Sequence, residues 1–79
     1  MSLDEIQLNE KAIIKKVECQ GNIKRRLLDL GFIKETEITP ILISPSKDPR
    51  AFYIRGSTIA LRKEDAKNVL VKSANEFQW

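Results

Sequence analysis

The chain contains no histidine and a single cysteine, and these two shortages exclude most of the chemistry that a small protein can perform. Histidine is the usual general base near neutral pH and the commonest metal ligand. Cys19 has no histidine partner to activate it as a nucleophile, and alone it cannot form an intramolecular disulfide. The sequence therefore predicts a non-catalytic protein from a reducing compartment, with a core that holds together without cross-links.

Glycine and long apolar runs are also scarce. The three glycines, Gly21, Gly31 and Gly56, stand singly at separate positions, so the sequence has no glycine-rich phosphate loop. No apolar run reaches the length of a transmembrane helix, and no hydrophobic signal region follows Met1. These absences predict a cytoplasmic protein that neither spans a membrane nor carries a cleavable signal.

The remaining composition is that of an ordinary globular domain. The 79 residues are 42% hydrophobic and 32% charged, with a formal net charge of +3. A charge so close to balance does not by itself indicate nucleic-acid binding. A chain of this length forms one domain that buries only about 60% of its unfolded surface, so we expect a stability of a few kcal/mol.

Residues 22–32 combine a helix start with an apolar face. Asn22 is a residue type that often accepts a backbone hydrogen bond at the N-cap of a helix. Ile23, Leu27 and Leu30 recur at the spacing of one helical face. We therefore predict a helix of about two to three turns. It needs the rest of the chain to cover its apolar face, because so short a helix is marginal alone.

Two glycines suit structural turns. Gly31 fits the left-handed position just after the helix, where Phe32 would fold back onto Leu27 in a Schellman ending. Gly56 and Ser57 separate two alternating segments, which predicts a two-residue hairpin turn that begins with glycine. Both positions are predictions about the backbone and not about binding.

Five further segments have the character of β-strands, and short helical turns are expected at residues 2–5 and 63–67. The strand segments are residues 11–19, 37–44, 50–55, 58–61 and 69–71. A bulge in the first would bring Ile14 and Val17 to one side, and Pro40 requires an edge or a bulge in the second. The pattern predicts an all-β domain with short helices, a small bent barrel closed at one end by the helix.

The outward side of the predicted helix carries Leu28 beside the cations Lys24 and Arg25. Leu28 lies about 140° around the helix from Ile23, away from the apolar face. A leucine there either packs under a loop of its own barrel or is offered to a partner, and the pattern leaves both open. The run Lys24 to Arg26 is likewise either a solvated helix face or a contact for phosphates.

The order and spacing of several short motifs resemble the FeoA family. The matching motifs are Arg26–Gly31, Ser44-Pro45, Asp48-Pro49, Arg55-Gly56, Ile59–Arg62, Asp65-Ala66 and Val69–Val71. The resemblance implies an SH3-like β-barrel without catalytic activity over residues 1–72, followed by a tail at residues 73–79. The family often has Pro-Gly after the helix, where this chain has Lys34-Glu35. Because glutamate is a poor left-handed residue, we expect that turn to differ.

The resemblance also implies a partner, the membrane transporter FeoB of bacterial ferrous-iron uptake, which carries a cytoplasmic GTPase region. Leu28, Arg25 and Lys24 are then the candidate partner-binding residues, and Phe77 and Trp79 of the tail are the next candidates. Two alternatives stay open, a metal-sensing module such as that of iron-dependent repressors, and a small barrel that binds nucleic acid. No cofactor is expected beyond weak binding of Fe²⁺, and no metal ligand can be named.

Overall fold

The computed structural model describes residues 1–43, 45 and 48–74. In chain order these contain a 3₁₀ turn (Leu3–Glu5), β1 (Ala12–Val17), α1 (Gly21–Asp29), β2 (Glu37–Ile43), β3 (Arg50–Ile54), β4 (Ser57–Leu61), α2 (Lys63–Ala66) and β5 (Val69–Ser73). The prediction of an all-β protein with short helices is therefore confirmed. The strand positions agree with the sequence to within a few residues, which is the usual uncertainty of element ends.

The strands form one antiparallel sheet in the order β4-β3-β2-β1-β5. β1, β2 and β3 each pair with the strand that follows them in sequence, and β5 returns to pair with β1. Ser73 pairs with Ala12, so β5 extends past Val71 into the segment that the sequence assigns to the tail. Within the described residues β4 and β5 are the two edges of the sheet.

The core lies on the inner face of this sheet, beneath α1 and the opening 3₁₀ turn. Its fully buried apolar side chains are Leu3, Ala12, Ile14, Leu27, Phe32, Ile38, Phe52, Ile54 and Val69. Full burial of a large aliphatic or aromatic side chain contributes about 1.5–3 kcal/mol each. Strands β1, β2, β3 and β5 each contribute fully buried residues to the core. Edge strand β4 contributes Ile59 and Leu61, which are nearly buried.

The bulge expected in β1 is present, and of the two alternatives for Pro40, an edge position or a bulge, the structure has the bulge. The pairing of β1 with β5 shifts register between Ile14 and Lys16, and as a result Ile14 and Val17 both face the core. The pairing of β2 with β3 shifts register between Pro40 and Leu42. Proline lacks an N–H, so the bulge lets it occupy an interior strand of the sheet.

Arg50 is a buried cation that joins the opening turn to β3. Its side chain is 9% exposed and lies over the ring of Phe52, 5.7 Å from the centroid. Nη1 donates to the backbone oxygen of Asp4 at 3.0 Å, and Nη2 donates to that of Ile6 at 2.8 Å. The sequence offers one signal for this position, because residue 50 alternates in phase with the inward-facing Phe52 and Ile54.

Two turns differ from their sequence-based predictions. The β3–β4 turn consists of Arg55 and Gly56, with φ of +50° and +84°, whereas Ser57 already belongs to β4 and pairs with Ile54. Two successive positive φ values indicate a type I′ turn, whose twist matches that of the flanking strands. Glu35 has φ of +73°, so the expectation that this turn avoids the left-handed conformation is wrong.

Hydrogen bonds explain why Glu35 adopts that conformation. Its N–H donates to the carbonyl oxygen of Ile14 at 2.7 Å. Its carboxylate accepts a hydrogen bond from Lys15 Nζ at 2.9 Å, and this bond lowers the pKa of Glu35. These contacts with β1 hold Glu35 in a conformation that is unfavourable for a residue with a side chain.

Candidate functional site

The candidate surfaces are both built on α1, whose start differs from the prediction. The helix begins at Gly21, and Gln20 occupies the N-cap without a side-chain capping bond. Asn22 is therefore inside the first turn and is not the N-cap. Gly21 itself has φ of +66°, so the chain enters the helix through a left-handed conformation that glycine adopts without strain.

The end of α1 matches the predicted Schellman motif. The N–H of Phe32 donates to the carbonyl oxygen of Leu27 at 2.9 Å, and the N–H of Gly31 donates to that of Leu28 at 3.1 Å. Gly31 has φ of +104°. Leu27 and Phe32 are both fully buried in the core. The structural role predicted for Gly31 is therefore confirmed.

The apolar face of α1 also has the predicted phase. Leu27 is fully buried, while Ile23 and Leu30 are half-buried and pack against the core. Leu28 is 41% exposed on the other side of the helix. Of the two alternatives for Leu28, burial under a loop is excluded for the loops that the structure describes.

Leu28 is the apolar centre of a shallow concavity of about 240 Å³, which we call the Leu28 surface. It is lined by Gly21, Lys24, Arg25, Leu28 and Asp29. Among the described residues no carboxylate lies within salt-bridge distance of Lys24 or Arg25, and the helical pair Arg25–Asp29 is not formed. The surface therefore combines one exposed leucine with two cations that are available to a partner.

A second depression, the α1–β4 groove, lies on the opposite side of the helix. It has a volume of about 170 Å³ and is lined by Ile23, Arg26, Leu27, Leu30, Ile59, Ala60, Leu61, Arg62 and Asp65. The sequence groups Arg26 with Lys24 and Arg25, but the structure places Arg26 in this groove. The sequence does not predict the groove, because its walls are far apart along the chain.

The side chains that could act chemically are separated or buried. Cys19 is 4% exposed, its Sγ lies 3.5 Å from the carbonyl oxygen of Asp65, and burial raises the pKa of its thiol. A buried thiol with a raised pKa is inert as a nucleophile. In the part of the chain that the structure describes, no three Cys, Asp or Glu side chains come together as metal ligands.

Two further features of the chain bear on partners. No helix within residues 1–43, 45 and 48–74 has the length and apolar character needed to cross a bilayer. Phe77 and Trp79, the secondary candidates for partner binding, lie outside the described residues.

Comparison with known proteins connects this geometry to a family. The FeoA domain model matches residues 1–73. The chain is 33% identical over 72 residues to an Fe(2+) transport protein A/Fe(2+) transporter FeoB fusion protein of Porphyromonas gingivalis. This match covers 91% of the present chain but only 8% of that protein. The chain is also 32% identical over 71 residues to a putative Fe(2+) transport protein A of Campylobacter jejuni, covering 90% of this chain and 96% of that one.

A solved structure agrees with the fold. The crystal structure of Stenotrophomonas maltophilia FeoA, a zinc complex described as a prokaryotic SH3 domain protein, matches with a TM-score of 0.82 and 32% identity. The match covers 91% of this chain and 89% of that one. The predicted SH3-like fold is thereby confirmed. Given the family match over nearly all of its length, the chain belongs to the FeoA family.

Proposed function

We propose that this chain is a non-catalytic accessory protein of bacterial ferrous-iron uptake that works in the cytoplasm. It docks on the cytoplasmic GTPase region of a FeoB-type membrane transporter and regulates that transporter. The main support is the similar Porphyromonas gingivalis protein, which joins a transport protein A part to a FeoB transporter in one polypeptide. Such a fusion keeps the two parts at high effective concentration, which matters for parts that act together.

The Leu28 surface supports this proposal as the docking site. Leu28 is 41% exposed although the fold gains nothing from an exposed leucine, and Lys24 and Arg25 stand beside it. An apolar anchor within a charged rim is the usual anatomy of a small protein interface. The complementary surface on the transporter should therefore have an apolar pocket for Leu28, surrounded by acidic side chains that pair with Lys24 and Arg25.

The distribution of the cations favours protein docking over nucleic acid. Lys24 and Arg25 line the Leu28 surface, whereas Arg26 lines the α1–β4 groove. A phosphate backbone is bound by cations that follow one continuous track. The three consecutive cations of α1 are instead divided between two surfaces.

The experiment compares Leu28→Ser with Ile33→Ser, since Ile33 is 46% exposed but does not line the Leu28 surface. We expect the free energy of unfolding of both variants to stay within about 1 kcal/mol of that of the parent. Leu28→Ser alone should weaken binding to the soluble GTPase domain by roughly tenfold or more. If Leu28→Ser binds as well as the parent, the docking surface lies elsewhere. Regulation is measured separately, as the GTPase rate with and without the parent protein.

A further inference from the structure

The edge strand β4 presents backbone groups that no other strand uses. Ile54 and Ser57 flank a two-residue turn, so they exchange both hydrogen bonds of their pair. Hydrogen-bonded pairs then alternate along β3 and β4, and the N–H and C=O groups of Thr58 and Ala60 point away from β3. Outside β3, no described residue forms a backbone hydrogen bond with either of them.

The α1–β4 groove runs beside this open edge. Its α1 wall is Ile23, Leu27 and Leu30 with Arg26, and its β4 wall is the stretch from Ile59 to Arg62. Ile23 and Leu30 are only half-buried, so apolar surface remains accessible there. The groove therefore offers an apolar wall next to a row of unused hydrogen-bonding groups.

Charge complementarity indicates what the groove accepts. Arg26 and Arg62 are both exposed, and within the described part of the chain neither has a carboxylate at salt-bridge distance. Asp65 is the one acid in the lining, so the groove keeps a net positive charge. Arginine pairs with carboxylates in a bidentate geometry, which gives acidic side chains an advantage here.

We propose that the α1–β4 groove binds an extended, acidic segment of a partner protein, which adds to β4 as a further antiparallel or parallel strand. Thr58 and Ala60 supply the main-chain hydrogen bonds, as in other cases of strand addition to an exposed edge. Ile23 and Leu30 contact apolar side chains in the middle of the segment, and Arg26 and Arg62 bind acidic ones. The site does not depend on the docking proposed for Leu28.

A second copy of this chain fits the groove less well. Among the described residues, the edges available for pairing are β4, with sequence Ser-Thr-Ile-Ala-Leu, and β5, with sequence Val-Leu-Val-Lys-Ser. Neither carries an acidic residue to neutralise Arg26 and Arg62. A free anion would occupy the arginines but would leave the edge backbone unpaired. An acidic extended segment is the occupant that uses both features.

The test uses the full chain, isotope-labelled for NMR, and the acetylated and amidated peptide Glu-Thr-Val-Thr-Val-Thr-Glu. Its valines and glutamates share one face of an extended strand. We expect the amide signals of Thr58 and Ala60 to shift and their hydrogen exchange to slow on binding. The same peptide with lysine in place of both glutamates should bind roughly tenfold more weakly.

Variants of the protein separate the two parts of the proposal. Arg62→Glu should weaken peptide binding by roughly tenfold. Lys67→Glu, which makes the same charge change outside the groove, should have little effect. Ala60→Pro removes one outward N–H at an edge position that tolerates proline. In this variant the peptide should no longer slow hydrogen exchange at the Thr58 amide. Thermal unfolding checks that the variant is still folded.

Four results would overturn the inference. They are unchanged amides of Thr58 and Ala60 at millimolar peptide, equal binding of the lysine peptide, equal losses from Arg62→Glu and Lys67→Glu, and a dimer in sedimentation that protects the β4 edge without peptide. Because none of these measurements involves Leu28 or the transporter, their failure would leave the proposed function standing.

Discussion

The side chain of Arg55 lies against the α-carbon of Gly31, so that a Cβ added to Gly31 would sit 2.5 Å from Arg55 Cδ. This contact joins the end of α1 to the β3–β4 turn. Gly31 also has φ of +104°, which side chains rarely adopt. The backbone conformation therefore requires glycine at position 31, and a larger residue would in addition have to displace the flexible side chain of Arg55.

Gly31→Val should destabilise the protein by about 2 kcal/mol or more, because a β-branched residue is strained at this φ and meets Arg55. Urea unfolding measures the loss. Comparing the single variant Gly31→Ala with the double variant Gly31→Ala/Arg55→Ala separates the two causes. Removing the Arg55 side chain relieves the crowding but leaves the backbone strain. Complete recovery in the double variant would show that backbone strain contributes nothing.

Leu27→Ala should cost about 2–5 kcal/mol, because it opens a cavity between α1 and the sheet. Leu28→Ala is the matched control, being the same change one residue further along the helix on an exposed side chain. We expect the control to stay within about 1 kcal/mol of the parent in the same denaturant experiment. Equal losses from both variants would contradict the observed phase of α1.

Arg50→Met should cost about 1–3 kcal/mol, because the carbonyl oxygens of Asp4 and Ile6 lose their buried donors. Arg50→Lys should recover only part of this, since one ammonium group lacks the two-pronged geometry of guanidinium. Hydrogen exchange in the opening turn, together with urea unfolding, measures the effect. Arg25→Met, on the exposed side of α1, is the control and should change neither quantity.

The capping box of the opening turn should make stability depend on pH. The N–H of Ser2 donates to Glu5 Oε1 at 2.9 Å, and this bond, with one from the Ser2 hydroxyl, lowers the pKa of Glu5. A lowered pKa in the folded state stabilises the fold above the unfolded pKa. That contribution is lost as pH falls through the folded pKa.

Unfolding measured across the acidic range tests this. Glu5→Gln should remove the corresponding part of the pH dependence. Ser2→Ala should retain most of it, because the backbone N–H of residue 2 is the larger cause of the shift and remains in place. An unchanged pH profile in Glu5→Gln would show that the capping box does not titrate with folding.

Features that depend on neighbours in sequence were predictable from the sequence. The Schellman ending at Gly31 and the buried Leu27 follow from helical spacing and from the steric freedom of glycine. The bulge at Pro40 follows from its missing N–H. Each of these constraints acts between residues that are close in sequence, so the local sequence is sufficient to predict the feature.

Features made by residues far apart in sequence were decided only by the tertiary structure. Glu35 is held left-handed by Ile14 and Lys15, which lie on β1. Arg50 is buried because the carbonyls of the opening turn meet it across the core. Such contacts depend on how the sheet bends and packs, which no local pattern encodes.

The two candidate surfaces divide in the same way. For the Leu28 surface, helical geometry alone predicts that Leu28, Lys24 and Arg25 share one side of α1, whereas the exposure of Leu28 was left open by the sequence. The α1–β4 groove was not predictable, because Arg26 and Arg62 meet beside an open strand edge only after α1 has packed across the sheet. The sequence by itself determined which side chains α1 displays, and the tertiary structure decided what each of them faces, since packing sets which distant parts of the chain become neighbours.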